Sequence, residues 1–139
     1  MAASEAGTPV SLEMIRRLIA FPTVSRDSNL ELIHYVRDYL GAFGAEIRLT
    51  HDDEKRKANL FATLGPRGEP GIALSGHTDV VPVEGQAWDT DPFTLVERDG
   101  RLYGRGTSDM KSFIAVALSS GGGNFRVIFR SYESPLQQC

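Results

Sequence analysis

The residues of this chain whose types and spacing could do chemistry lie between Ile72 and Met110. His77 and Asp79 stand two apart in S-G-H-T-D-V-V-P, and Asp109 closes G-R-G-T-S-D-M-K. One imidazole nitrogen can bind a metal while a carboxylate's two oxygens bridge a pair, so a histidine and a carboxylate at the ends of neighbouring elements suit a dinuclear zinc site. In an extended chain His77 and Asp79 point to the same side. Asp79 is then placed to accept the His77 N–H that faces away from a metal, fixing the tautomer. Each residue also has a plainer reading. A histidine at a strand end is commonly packed or solvated, and an acidic residue in a helix's first turn complements the dipole. Gly104-Arg105-Gly106 lacks the third glycine and the lysine spacing of a phosphate-cradling loop, which excludes nucleotide binding. Its glycines instead let the backbone turn tightly beside the site.

The elements that must position these residues follow from hydrophobic spacing. The run Ile72, Ala73, Leu74 reads as a buried strand that stops at Gly76 and delivers His77 and Asp79 beyond its end. From Ser108 a helix is predicted, capped by Ser108 or Thr107, with Asp109 in its first turn and Met110, Phe113, Ile114, Ala117 and Leu118 on a core face. Upstream, a first helix starts near Pro9 and carries Leu12, Ile15, Leu18 and Ile19 until Phe21-Pro22 ends it. A second starts at Ser28, an N-cap with Glu31 three residues later, and runs to Gly44 through Ile33, Val36, Leu40 and Phe43. Strands are expected at Ala45 to Leu49 and Ala58 to Leu64, with Gly65-Pro66 and Pro70-Gly71 bracketing the next turn. A long loop with a hairpin at Asp99-Gly100 follows Pro82. Past the Gly121-Gly122-Gly123 stop, Phe125 to Phe129 suits a strand, and Tyr132 to Cys139 reads as an unstructured tail.

Composition narrows the function classes. The chain has 139 residues, 41% hydrophobic and 24% charged, which suits one domain with a core. A net charge of -3 argues against nucleic acid or an anionic membrane as partner. Lys55-Arg56-Lys57 directly follows Asp52-Asp53-Glu54, so both runs read as a solvated turn. His34 and His51 read as solvated, and Trp88 as an anchor for the long loop. No apolar run is long enough to span a bilayer and the N-terminus lacks a signal-peptide pattern, so a cytoplasmic address is expected. The single cysteine, Cys139, has no partner within the chain and suits a reducing compartment.

The two central motifs, S-G-H-T-D-V-V-P and W-D-T-D-P-F-T-L-V-E-R-D-G-R-L-Y-G-R-G-T-S-D-M-K, resemble the opening part of the dinuclear zinc deacylase and peptidase family. The words F-P-T-V-S, D-Y-L and K-A-N-L-F-A-T-L-G are most similar to its acetylornithine deacetylase branch. The resemblance runs from the first helix to Leu118. It implies that His77 is a metal ligand, that Asp79 orients it and counts as catalytic, and that Asp109 bridges two zinc ions, with cobalt an alternative metal. It further implies hydrolysis of a small N-acyl amino acid, N-acetylornithine or, alternatively, a succinyl-diaminopimelate-like substrate. Complete family members are homodimers through an inserted domain, which is not expected of this chain. The implied fold is α/β, with helices packed on a mixed sheet as an incomplete zinc-peptidase-like catalytic domain over 1-120, followed by an atypical tail over 121-139. The family also supplies an adjacent Glu-Glu pair, another acidic ligand and a later histidine; no two glutamates are adjacent here and no histidine follows His77. Two readings follow: the N-terminal part of a metal-dependent deacylase, inactive alone because base and ligands are missing, or a non-catalytic remnant that serves as an interaction module.

Overall fold

Apolar residues at helical and alternating spacing build two layers in the computed structural model, which describes residues 10–120 and 125–131. The elements in chain order are α1 (Val10–Ile19), α2 (Leu30–Ala42), β1 (Glu46–His51), β2 (Ala58–Leu64), β3 (Ile72–His77), β4 (Val96–Arg98), β5 (Arg101–Tyr103), α3 (Lys111–Ser119) and β6 (Phe125–Arg130). The main sheet has the order β1-β2-β6-β3, and β4 and β5 form the hairpin expected at Asp99-Gly100. The β1–β2 and β2–β6 pairs are antiparallel while β3 runs parallel to β6, so the sheet is mixed, as the α/β reading requires.

The register shows which face is the core. Leu60 lies opposite Phe129 and Ala62 opposite Val127, while on the other side of β6 Leu74 aligns with Val127 and Gly76 with Phe129. These residues share one face, and Leu60, Ala62, Val127 and Phe129 are fully buried. Onto it pack Met14, Ile15 and Leu18 of α1, Leu32, Ile33, Val36 and Leu40 of α2, and Ile114, Ala115 and Leu118 of α3, in one continuous core. Burying such side chains supplies about 1.5–3 kcal/mol each, which holds the layers together. The opposite face is thinner: Phe61, 39% exposed, lies opposite Ile128, which aligns with the exposed Ser75. Among the described residues the sheet ends at β3, and Ile72 at its start is 69% exposed. An open sheet edge beside an under-covered face invites association with other chains.

Several expectations need correction. Asn29, not Ser28, is the N-cap of α2, and its side chain makes no cap bond. Asn29 is buried and spent elsewhere, donating to the Ala58 carbonyl at 2.9 Å and accepting the Ala58 N–H at 2.9 Å. The hydroxyl of Ser28 instead receives the Leu30 N–H at 3.2 Å and donates to the Arg56 carbonyl at 2.6 Å, joining α2 to β2's approach. The first strand is displaced by a residue or two relative to Ala45–Leu49, which alters no argument. Lys57 does not belong to the solvated turn: it is only 8% exposed and its Nζ donates to the Ser25 carbonyl. Phe113 is 41% exposed rather than core, because the face of α3 that it shares with Val116 is not covered by the described residues. His51 is exposed as expected, whereas His34 is half-buried. The expectations for Pro9, for the triple glycine and for the tail lie outside the described residues.

Candidate metal centre

The site is assembled where β3 ends. Beyond His77 the chain stays extended: Thr78 donates its N–H to the Arg130 carbonyl of β6 at 2.7 Å, and Val80 forms a parallel bridge with Val24. The word F-P-T-V-S thereby becomes a support segment, tied to this stretch by a single bridge. Val80 donates to the Thr23 carbonyl at 2.9 Å, Ser25 donates to the Val80 carbonyl at 3.0 Å, and the Thr23 hydroxyl donates to the Thr78 carbonyl at 2.6 Å. Asp79 is thereby carried into the interior, 4% exposed, where its Oδ2 accepts the Ser25 hydroxyl at 2.6 Å. A buried carboxylate needs such donors, because an unpaired one is expensive away from water.

His77 and Asp109, separated by 32 positions, meet in space. The Nε2 of His77 is 2.9 Å from Oδ1 of Asp109, and the His77 side chain is 14% exposed against 83% for Asp109. The other ring nitrogen, Nδ1, is 2.9 Å from the main-chain oxygen of Asp79 and 3.6 Å from its carboxylate Oδ1. Of the two Asp79 acceptors the carbonyl lies closer to Nδ1 and the carboxylate farther. A carbonyl can only accept, so Nδ1 carries a proton. A neutral ring then turns its Nε2 lone pair toward a carboxylate oxygen. Two facing lone pairs are stable only with a cation between them, either a proton or a metal ion.

Asp109 does not lie in the first turn of a helix. The helix begins at Lys111 with Met110 as N-cap, and the Asp109–Met110 peptide is cis. Ser108 and Thr107 do not cap it; the Thr107 hydroxyl donates to the Gly104 carbonyl at 2.9 Å, and Lys111 donates its N–H to the Gly106 carbonyl at 2.8 Å. The turn is tight at Gly106, whose φ is +91°, and a Cβ there would lie 3.1 Å from both the Lys111 chain and Val80. The plainer reading of Asp109 as a dipole partner weakens, since its carboxylate turns back to His77. The Met110 sulfur, in turn, accepts the His77 main-chain N–H at 3.4 Å.

Two residues of this site were not singled out in the sequence, Ser25 and Lys111, although both stand inside the quoted words. Lys111 is completely buried and its Nζ donates to the Phe21 carbonyl at 2.5 Å. Burial pushes its ammonium down to about 7, with the charge of Asp79 pulling in the other direction. Only the packing of α3 against β3 and the support segment makes it interior; nothing in D-M-K announces that.

The site opens on a cavity of about 680 Å³ lined by Ser25, His77, Asp79, Arg105, Ser108 and Asp109 among others. A catalytic zinc takes three protein ligands plus a water. Among the described residues no group of three or more His, Cys, Asp and Glu side chains could hold a metal. The donor chemistry of His77 and Asp109 fits two positions around one ion, and further ligands have to come from outside these residues.

Residues 73–120 match Peptidase family M20/M25/M40. The matched segment starts within β3, ends just past α3 and contains His77, Asp79 and Asp109. Relatives extend the likeness upstream: the chain is 44% identical over 119 residues to an acetylornithine deacetylase of Photorhabdus laumondii subsp. laumondii and 43% identical over 119 residues to one of Proteus mirabilis. Each alignment covers 81% of this chain, and the chain spans only 31% and 30% of the length of these two relatives. Solved structures share the fold. Human carnosine dipeptidase 1 superposes with a TM-score of 0.70 at 24% identity, covering 88% of this chain and 32% of that one. An M20 metallo-carboxypeptidase of Sulfolobus solfataricus gives a TM-score of 0.71 at 18% identity, covering 87% and 30%. The resemblance read from the two motifs and the α/β fold with a mixed sheet are both borne out.

Proposed function

We propose that this chain is the N-terminal part of a metal-dependent amide hydrolase, in which His77 and Asp109 are metal ligands and Asp79 is the catalytic positioning residue behind His77. The observation that carries the reading is the 2.9 Å approach of His77 Nε2 to Asp109 Oδ1 beside a cavity, within a segment of M20 sequence. The proposed metal is zinc, two ions in the complete site, with cobalt as the alternative. When bound, such ions lower the pKa of a water and polarise the scissile carbonyl. Asp79 holds Nδ1–H in place through its own main-chain carbonyl, and Ser25 holds Asp79, so the ligand nitrogen is aimed before anything binds. Similarity to two acetylornithine deacetylases favours a small N-acyl amino acid as substrate, N-acetylornithine first, and thus a place in arginine biosynthesis in the cytoplasm. We assign residues 1–120 to the catalytic-domain part and 121–139 to a tail of different character, which nonetheless supplies β6.

Alone, this chain is expected to bind metal weakly and to show no turnover, because two donors under-coordinate an ion and no general base accompanies them among the described residues. Isothermal titration with zinc tests the reading: H77A and D109N each abolish the binding seen with the unaltered chain. Isotherms unchanged by both substitutions would refute it. The second reading, a non-catalytic interaction module, draws on the lack of a three-ligand cluster among the described residues. It expects no zinc isotherm at all from a folded chain.

A further inference from the structure

The cavity beside His77 and Asp109 carries one feature that metal binding does not use. Among its lining residues Arg105 is the only arginine or lysine. Its guanidinium carbon lies 5.2 Å from the centre of the Trp88 ring, so the side chain is held against an aromatic surface. One terminal nitrogen donates to Gln86 Oε1, and the Trp88 indole N–H donates to the same oxygen at 3.2 Å, which locks the three side chains together. The main chain is pinned as well, Arg105 N–H to the Pro92 carbonyl at 2.6 Å. These partners are all neutral, so none of them compensates the positive charge of this cavity-lining residue. The Nε of Arg105 is buried and has no hydrogen-bond partner among the described residues, an orphan donor in a side chain otherwise well fixed.

A planar cation fixed by stacking and presented in a cavity is suited to a carboxylate, which it can grip with two parallel N–H bonds. We infer that Arg105, oriented by Trp88 and Gln86, is a specificity-determining residue that binds a carboxylate of the N-acyl amino acid while the amide lies toward His77 and Asp109. The inference rests on the proposed hydrolase reading for the identity of the ligand, but the anion grip itself needs no metal. The loop between β3 and β4, otherwise a connection, thereby becomes one wall of the substrate site, and its single tryptophan a platform for the cation.

The chain's only tryptophan is Trp88, so its fluorescence reports on this corner. The 139-residue protein is titrated with N-acetylglycine and with N-acetylglycinamide in the presence of EDTA, and the affinities are confirmed by isothermal titration. The carboxylate is expected to bind with saturation and at least about tenfold more tightly than the amide, as for a charge-assisted bond lost. R105Q removes this preference, and R105K, which keeps the charge but not the fork, reduces it several-fold. Should R105Q fail to fold by circular dichroism, R105K alone decides the matter. Equal affinity for the two ligands, absence of a saturable carboxylate response, or a preference retained in both Arg105 variants overturns the inference. Because the zinc titration is separate, zinc isotherms unchanged by H77A and D109N with the carboxylate preference retained sink the metal reading and not the anion grip, and the reverse outcome does the opposite.

Discussion

Replacing Phe129 by alanine tests the placement of β6 in the middle of the sheet. Phe129 is fully buried, lies opposite Leu60 on β2 and aligns with Gly76 on β3, one residue before His77. Gly76 has no side chain to fill the space, since Ile114, Met110 and Phe113 already approach to within 3.4 Å of where its Cβ would stand. The cavity left by a truncated ring is therefore walled by a glycine on one side and by residues engaged elsewhere, and collapse is limited. A Phe-to-Ala change in such a site costs about 3–5 kcal/mol. Domains of this kind are stable by only about 5–15 kcal/mol, so the folded-to-unfolded ratio falls at least about a hundredfold. The assay is urea unfolding followed by far-ultraviolet circular dichroism, comparing midpoints at constant m-value. Because Thr78 is tied to the Arg130 carbonyl of β6 by its N–H at 2.7 Å and by its hydroxyl at 3.2 Å, loosening β6 also loosens the backbone beside His77. Zinc binding should weaken in step. A stability change below about 0.5 kcal/mol, the range of exposed positions, would refute the reasoning by showing that Phe129 is not interior.

Other outcomes follow from the same geometry. Ser25→Ala removes the 2.6 Å hydrogen bond to the buried Asp79 carboxylate and should lower stability by about 1.5–3 kcal/mol in urea unfolding. Lys111 gives a pH signature: burial holds its folded value at about 7, below the 10.5 of the unfolded chain. Below pH 7 the ammonium is protonated in both states and the burial penalty is complete. Between 7 and 10.5 the unfolded state binds the extra proton, so stability should rise with pH by an amount on the order of a few kcal/mol, a slope absent in Lys111→Met. Gly106→Ala places a side chain at a φ of +91° and 3.1 Å from Lys111 and Val80, and should cost about 1–3 kcal/mol in a thermal melt while weakening zinc binding through Asp109. Phe113→Ser, on the exposed face of α3, should change the unfolding midpoint by less than about 0.5 kcal/mol and reduce aggregation measured by light scattering.

Sequence alone determined the parts of this protein that depend on local pattern. The helical spacing of Ile15, Leu18 and Ile19, the turn at Asp99-Gly100 and the alternation in Phe125 to Phe129 each announced an element, because periodicity and turn chemistry act over a few residues. The candidate residues His77, Asp79 and Asp109 were legible for the same reason, being embedded in distinctive words. Tertiary structure decided what those residues face. His77 and Asp109 meet because β3 and the turn before α3 end at the same edge of the sheet, a matter of packing that no spacing along the chain encodes. Likewise Lys57 and Lys111, ordinary surface residues by type, are interior because the support segment at Thr23–Ser25 and helix α3 close over them. Phe113, apolar and in helical register, stays outside because nothing described here covers its face. A residue's neighbours along the chain set its backbone; burial and charge are set by elements distant in sequence, and the site's chemistry is made of burial and charge.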